Sequence, residues 1–117
     1  MKNLENISNL DELLLASKNE ATPLFVNLCG SDGVQDRLMD QVVSKVHKKH
    51  IGFIGYQKLC GSASSIIRDE LMVTKRPVIL LLQSGEIRAI FGGISSSYEL
   101  EAALDHIDLS QSKISNH

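Results

Sequence analysis

Two short, almost uninterrupted apolar runs constrain the fold of this chain more than any other feature of its sequence. Leu24–Leu28 contains one polar residue, Asn27, and residues 78–82 contain none. Apolar runs of this length between turn residues are typical of strands that are buried on both faces. Such strands occur where helices cover both sides of a sheet. The sequence therefore predicts an α/β domain built around a buried sheet.

Helical periodicity fills the intervals between the strand-sized runs. Over residues 34–49, apolar residues recur three and four positions apart, and the segment ends in basic residues that suit the negative end of a helix dipole. Shorter segments show the same spacing after serine residues that can cap a helix. Helices are therefore predicted over residues 8–18, 34–49, 64–72 and 96–107.

Further strands are predicted at residues 2–7, within residues 51–59, and at residues 87–91 after a Ser-Gly turn. The resulting order, β-α-β-α-β-α-β-β-α, predicts a central mixed sheet of four to five strands flanked by helices. We expect one domain over residues 1–108 and a flexible polar tail over residues 109–117.

Composition excludes several classes of function. The chain has 117 residues and a net charge of −2, which argues against binding to nucleic acid or to an anionic membrane. No apolar run approaches the roughly 20 residues of a membrane span, and the amino end lacks the pattern of a signal peptide. Two cysteines are too few for a secreted disulfide framework. We therefore expect a cytoplasmic domain that needs no metal and no cofactor.

Several local motifs accompany this order of elements: Phe25-Val26-Asn27-Leu28 before the long helix, Asp69-Glu70-Leu71-Met72-Val73 ahead of Arg76-Pro77, the turn Ser84-Gly85-Glu86, and Gly93-Ile94-Ser95 before the last helix. With these motifs, the order of elements resembles the thioredoxin-like superfamily from about residue 2 to residue 108. The resemblance implies a thioredoxin-like fold. It also implies that the bond before Pro77 is cis and lines a groove for an extended peptide.

The chain departs from the family where the family does its chemistry. The Cys-x-x-Cys redox motif would fall on Gly33, Val34, Gln35 and Asp36, so neither motif cysteine is present. The family's buried strand aspartate would fall on Asn27, whose amide cannot take up a proton. The resemblance therefore implies a member that lacks the redox motif and has no dithiol activity at these positions.

Both cysteines of the chain lie elsewhere. Cys29 follows the second predicted strand and Cys60 follows the third. If those strands are parallel neighbours, both cysteines lie at the carboxyl-end edge of the sheet, where ligands bind in open α/β sheets. A disulfide between them requires Cα atoms within about 7 Å. We favour two buried, reduced thiols that act as small apolar groups, over a single reactive thiol at Cys29.

One charged residue borders the expected groove. Arg76 directly precedes the proline and can present a planar fork to a carboxylate of a partner. The alternative is a surface ion pair with Asp69 or Glu70, on a solvated helix face that also includes Arg68.

These observations favour a non-catalytic and redox-inactive protein-binding module, similar to a chaperone or adaptor. We expect it to bind a protein or an extended peptide at a groove formed by Gly33, Arg76, Pro77 and Gly93. One alternative is a thiol–disulfide or peroxide-reactive redox protein that uses Cys29 with Cys60. A second alternative is a structural subunit that oligomerises through its hairpin edge or its first helix.

Overall fold

The computed structural model describes residues 6–30 and 33–107, which form four helices and four strands. In chain order the elements are α1 (Leu10–Lys18), β1 (Leu24–Leu28), α2 (Val34–Lys49), β2 (Gly55–Leu59), α3 (Ser62–Glu70), β3 (Val78–Gln83), β4 (Glu86–Gly92) and α4 (Ser97–Leu104). The strand expected at residues 2–7 lies mostly outside the described residues, and residues 6 and 7 are not in a strand. The expected polar tail, residues 109–117, also lies outside them, so the proposed domain boundary stays a prediction.

The four strands form one mixed sheet in the order β2-β1-β3-β4. Strands β1 and β2 are parallel. Helix α2 connects them and carries the chain back to the end of the sheet where β1 begins, so that β2 runs in the same direction. Strand β3 runs antiparallel to β1 and to β4, with which it forms the predicted hairpin. The structure thus confirms the α/β class and the mixed sheet flanked by helices.

Helices cover both faces of the sheet, which explains the uninterrupted apolar runs of β1 and β3. Side chains alternate between the faces along a strand. On one face Phe25, Ile79 and Leu81 pack against buried residues of α2 and α4. On the other face Val26 and Leu80 pack against α1 and α3. A strand that contributes to two cores has no solvent-facing side, so its sequence does not alternate.

Local signals fix most of the helix and turn boundaries. The Ser96 hydroxyl accepts a hydrogen bond from the Glu99 amide, and the Glu99 carboxylate accepts one from the Ser96 amide, so a capping box starts α4. Helix α3 begins at Ser62, earlier than the predicted start at Ser64 or Ser65. Its cap is Gly61, with φ of 83° and no side-chain hydrogen bond, so no capping side chain marks the boundary in the sequence.

Within the described residues, no helix combines the length and the apolar character needed to cross a lipid bilayer. The cytoplasmic location stays a prediction.

Candidate functional site

A disulfide joins Cys29 to Cys60 at one edge of the sheet. In the parallel pairing of β1 and β2, Leu28 is the partner of Leu59, so the residues that follow the two strands lie side by side. The Cys29 amide donates to the Leu59 carbonyl at 3.1 Å, and the two cysteine Cα atoms are 4.8 Å apart. That separation lies within the range that a disulfide spans.

The expectation of two reduced, buried thiols is therefore wrong. The two cysteines also differ in their access to solvent. Cys29 follows the central strand β1 and is 8% exposed, whereas Cys60 follows the edge strand β2 and is exposed. Cys60 is therefore the more accessible residue of the pair, whereas the sequence had suggested Cys29 as the reactive thiol.

A cavity of about 230 Å³ lies against the disulfide. Strands β1 and β2 provide one side of it and the first turns of α2 provide the other. Apart from the disulfide and one glycine, the residues that line it have polar or charged side chains; the full lining is Asn27, Cys29, Gly30, Asp36, Arg37, Asp40, Lys58 and Cys60. Carboxylates and cations thus share a small space with the cysteine pair, an arrangement that can move protons beside a disulfide.

A chain of hydrogen bonds runs beside this cavity. The Asn27 amide nitrogen donates to the Tyr56 hydroxyl at 3.1 Å, and that hydroxyl donates to Oδ1 of Asp40 at 2.6 Å. Lys58 Nζ lies 3.5 Å from the other carboxylate oxygen of Asp40. Burial and the hydrogen bond to Asp40 together raise the pKa of Tyr56. The phenol therefore stays protonated and serves as a donor to the Asp40 carboxylate.

Asp40 is the residue that the sequence interpretation missed. Asn27 is 1% exposed and its Oδ1 has no hydrogen-bond partner in the structure, so the strand position expected to hold a base holds an amide. A carboxylate comes instead from α2. Two spacings in the sequence could have indicated this carboxylate. Asp36 and Asp40 are one helical turn apart, so they lie on one face of the helix. Tyr56 and Cys60 are an even number of residues apart, so they lie on one face of a strand.

The structure also brings together the residues predicted for the peptide groove. Residues 33–36, at the start of α2, line a second cavity of about 240 Å³ with Arg76 and Pro77. The Arg76–Pro77 peptide bond is cis, as the resemblance implied, and the Gly93 amide donates to the Pro77 carbonyl at 2.8 Å. Asp36 lines both cavities, so they adjoin. That this groove binds a partner stays a prediction.

The expected solvated face at residues 68–70 is only partly correct. Asp69 and Glu70 are exposed, but Arg68 is 7% exposed because it lies on the face of α3 that packs toward the sheet with the buried Ile67. Glu70 accepts a 2.8 Å hydrogen bond from the Leu10 amide, and no ion pair joins it to Arg76. The expected ion pair between Arg76 and Glu70 is therefore not formed among the described residues.

No protein-family model matches the sequence, and no curated protein matches it either. Solved structures do match. Reduced desulfothioredoxin from Desulfovibrio vulgaris Hildenborough has a TM-score of 0.67 at 17% identity, with 80% of this chain and 88% of that chain covered. Oxidised mitochondrial thioredoxin 3 from Saccharomyces cerevisiae has a TM-score of 0.67 at 19% identity, with 85% and 92% covered. Thioredoxin-2 of the malaria parasite has a TM-score of 0.64 at 17% identity, with 74% and 84% covered.

These comparisons, together with the disulfide, overturn the main functional prediction. A redox-inactive, chaperone- or adaptor-like module was expected because the Cys-x-x-Cys positions hold other residues. The chain nevertheless contains a disulfide, between Cys29 and Cys60, and its structural neighbours include thioredoxins. The chain has a thioredoxin-like fold, with its cysteine pair at the carboxyl ends of β1 and β2 instead of at the start of α2.

Proposed function

We propose that this chain is a thiol–disulfide exchange protein whose redox pair is Cys29 and Cys60. One observation carries the proposal: the disulfide is exposed at Cys60, buried at Cys29, and lies against a cavity that charged residues line. A thiolate from solution can attack an exposed sulfur. The sulfur of the buried cysteine then leaves as a thiolate, and it stays close enough to re-form the disulfide later. A purely structural disulfide needs neither the exposed sulfur nor the cavity.

The exchange begins from the oxidised pair. A thiolate of a substrate dithiol attacks Sγ of Cys60, the bond between the two cysteine sulfurs breaks, and Cys29 Sγ leaves as a thiolate that takes up a proton. The second substrate thiolate then attacks the substrate sulfur of the mixed disulfide and releases Cys60 as a thiolate, which is protonated in turn. The substrate becomes a disulfide, and the protein gains two electrons and two protons. The same steps in reverse reduce a substrate disulfide.

Asp40 supplies the proton acceptor that Asn27 cannot supply. Its carboxylate lines the cavity that contains both cysteines, and the Tyr56 hydroxyl holds it in place. In the proposed reaction it accepts the proton of the attacking thiol and returns one to the thiolate of Cys29. The partly buried phenol orients the carboxylate and does not itself ionise, because its pKa is raised.

The expected substrate is a protein or peptide that carries thiols or a disulfide. The second cavity, beside Pro77, adjoins the disulfide cavity through Asp36. An extended segment of a substrate that lies in the cavity beside Pro77 therefore brings a cysteine toward Cys60. This arrangement supports a peptide substrate over a small thiol alone.

A redox titration tests the proposal. The protein is equilibrated with mixtures of reduced and oxidised glutathione, and with mixtures of reduced and oxidised dithiothreitol for the more reducing potentials, and the fraction of paired cysteines is counted by alkylation and mass spectrometry. We expect a reversible couple between about −270 and −120 mV, the range of thiol–disulfide oxidoreductases. A couple below about −300 mV is typical of a structural disulfide and would contradict the proposal.

A turnover assay completes the test. Reduction of insulin by dithiothreitol is followed with and without the protein, and a variant with serine at both Cys29 and Cys60 is the control. We expect the wild-type chain to accelerate the reduction and the control to leave it at the background rate. Equal rates for the two proteins would also contradict the proposal.

A further inference from the structure

Two guanidinium groups converge on the backbone of Gly30, the residue that follows Cys29. A methyl group placed on Gly30 would lie 3.8 Å from Nη1 of Arg76 and 3.9 Å from Nη2 of Arg68. Arg68 comes from α3, and Arg76 comes from the segment before β3. Tertiary structure, and not closeness in the sequence, therefore places two positive charges beside the disulfide.

Arg68 is the more unusual member of this pair. Its side chain is more than nine-tenths buried, and its Nε has no hydrogen-bond partner. Among residues 6–30 and 33–107, no ion pair joins either Arg68 or Arg76 to a carboxylate. Burying a cationic group without an anion or a full set of hydrogen bonds costs free energy. A bound anion would recover part of that free energy.

The charged residues that line the two cavities are of both signs. Among the described residues that line the two cavities, Asp36 and Asp40 are acidic, while Arg37, Lys58 and Arg76 are basic. Asp40 already accepts hydrogen bonds from Tyr56 and Lys58. With Arg68 behind Gly30, the basic residues outnumber the acidic ones among the described residues around the cysteine pair.

We propose that Arg68 and Arg76 form a carboxylate-binding subsite that selects anionic substrates for the redox pair. This inference rests on the proposed function. Gly30 lies on the wall of the disulfide cavity, Arg76 lies on the wall of the cavity beside Pro77, and Nη2 of Arg68 approaches Gly30 from α3. The planar fork of arginine matches a carboxylate with two parallel hydrogen bonds. Carboxylates are also the anions that a cysteine-containing peptide itself carries.

Three small disulfides that differ in charge test the subsite. They are 3,3′-dithiodipropionate with two carboxylates, bis(2-hydroxyethyl) disulfide with no charge, and cystamine with two ammonium groups. In each reaction Cys60 Sγ of the reduced protein attacks one probe sulfur and the probe bond breaks, releasing the first thiolate. Cys29 Sγ then attacks Cys60 Sγ and displaces the second thiolate, so two electrons pass from the protein to the probe. Each rate is divided by the rate of the same probe with dithiothreitol.

We expect the normalised rate for the dicarboxylate to exceed that for the neutral probe by roughly tenfold, the effect of one charge-assisted hydrogen bond. The normalised rate for cystamine should be the lowest of the three. The preference should largely disappear near 0.5 M salt, where the Debye length falls to roughly 4 Å. A preference that persists unchanged in salt would contradict an electrostatic subsite.

Substitutions identify the residues responsible. Arg76→Gln, at an exposed position, should lower the ratio of dicarboxylate to neutral rates by roughly threefold to fivefold. Arg68→Gln should lower it at least as much, and Arg68→Lys should restore part of the ratio because the charge returns without the fork. Arg88→Gln is the matched control, since Arg88 lies on β4 and pairs with Glu86. An equal effect of all the glutamine variants would overturn the assignment.

The outcomes also separate the subsite from the proposed function. Reaction with all three probes at equal normalised rates would overturn the subsite and leave thiol–disulfide exchange intact. No reaction with any probe would overturn both. A final comparison uses a cysteine peptide disulfide with glutamate on both sides and the same peptide with glutamine. If the rate ratio of the glutamate to the glutamine peptide exceeds the ratio of the dicarboxylate to the neutral probe, a peptide is the source of the carboxylate. If the peptide ratio is the smaller of the two, the source is a small thiol acid.

Discussion

Oδ1 of Asp40 accepts a 2.6 Å hydrogen bond from the Tyr56 hydroxyl, and this contact fixes a carboxylate beside the cysteine pair. Asp40 lies on α2 and Tyr56 on β2, so the contact links the helix to the edge strand that ends at Cys60. Asn27, at the strand position where the resemblance implied an aspartate, donates a hydrogen bond from its side chain to Tyr56. In the proposed function the acid–base group therefore lies on a helix and not on that strand.

Replacing Asp40 with asparagine should slow thiol–disulfide exchange while leaving the fold in place. The amide fills the same space but accepts no proton, and general acid–base contributions are typically 10²-fold or more. We expect the single-turnover rate at pH 7 to fall by about 10²-fold. Asp36→Asn is the matched control, because Asp36 lines the same cavity but does not bond to Tyr56. Equal decreases of the rate in both variants would contradict this role, because they would show that the rate depends on the negative charge in the cavity and not on the position of the Asp40 carboxylate.

Single-cysteine variants should differ sharply in their reactivity. In Cys29→Ser the remaining Cys60 thiol is exposed, so iodoacetamide should alkylate it at a rate typical of a free thiol. In Cys60→Ser the remaining Cys29 lies at an 8% exposed position, so its alkylation should be about tenfold slower or more, since it requires local opening. Both variants should react equally in guanidinium chloride. Faster alkylation of Cys29 under native conditions would reverse the roles assigned to the two sulfurs.

Glu101 should make stability depend on pH in the acidic range. Oε1 of Glu101 lies 2.6 Å from Nε2 of His50, and Oε2 lies 3.3 Å from Nζ of Lys49. Partial burial acts to raise the pKa of Glu101, but the hydrogen bonds from His50 and Lys49 outweigh it, so the pKa lies below its usual value. This contribution to stability is complete above the unfolded-state pKa and is lost as the pH falls through the lower folded-state pKa.

Urea unfolding of the wild type and of Glu101→Gln at pH 6 and at pH 3 measures this effect. The wild type should lose more unfolding free energy between the two pH values than the variant does. Glu86→Gln serves as the control, because its carboxylate is 67% exposed and its ion pair with Arg88 lies at the surface. A wild type and a Glu101→Gln variant with the same pH dependence would contradict the assignment.

The hairpin between β3 and β4 should not tolerate a side chain at Gly85. Gly85 has φ of 82°, and an added methyl group would lie 3.1 Å from Cβ of Lys18. We expect Gly85→Ala to reduce the unfolding free energy by about 1–2 kcal/mol. Ser84 also has positive φ, 54°, so Ser84→Gly should be neutral or slightly stabilising in the same denaturant titration. Destabilisation by Ser84→Gly instead would show that its side chain contributes more than its backbone strain costs.

Hydrophobic periodicity predicted the helices and strands of this chain well where neighbouring residues alone determine burial or capping. Leu24–Leu28 and Val34–Lys49 have the predicted boundaries, because a buried run and a long amphipathic helix each constrain many residues at once. The start of α3 was missed because Gly61 caps it through backbone geometry alone. Arg68 was misplaced because a charged residue in a charged segment normally lies in solvent, and only the packing of α3 buries it.

The candidate site could be predicted from the sequence less completely than the fold. The element order placed Cys29 and Cys60 at one edge of the sheet, yet their pairing depends on the register in which Leu28 faces Leu59. A shift of one residue would turn one of the two sulfurs to the opposite face. Asp40 was not recognised, since a carboxylate on a helix surface acquires a role only when a strand brings a partner such as Tyr56 against it.

The sequence by itself determined the class of fold and the absence of a Cys-x-x-Cys motif, because both depend on residue types and spacings along the chain. Tertiary structure decided that Cys29 and Cys60 form a disulfide, that Asp40 lies beside it, and that Arg68 and Arg76 converge on Gly30. Each of these juxtapositions joins residues that are distant in the sequence. Their separations are fixed by how helices pack on the sheet, which local patterns do not specify.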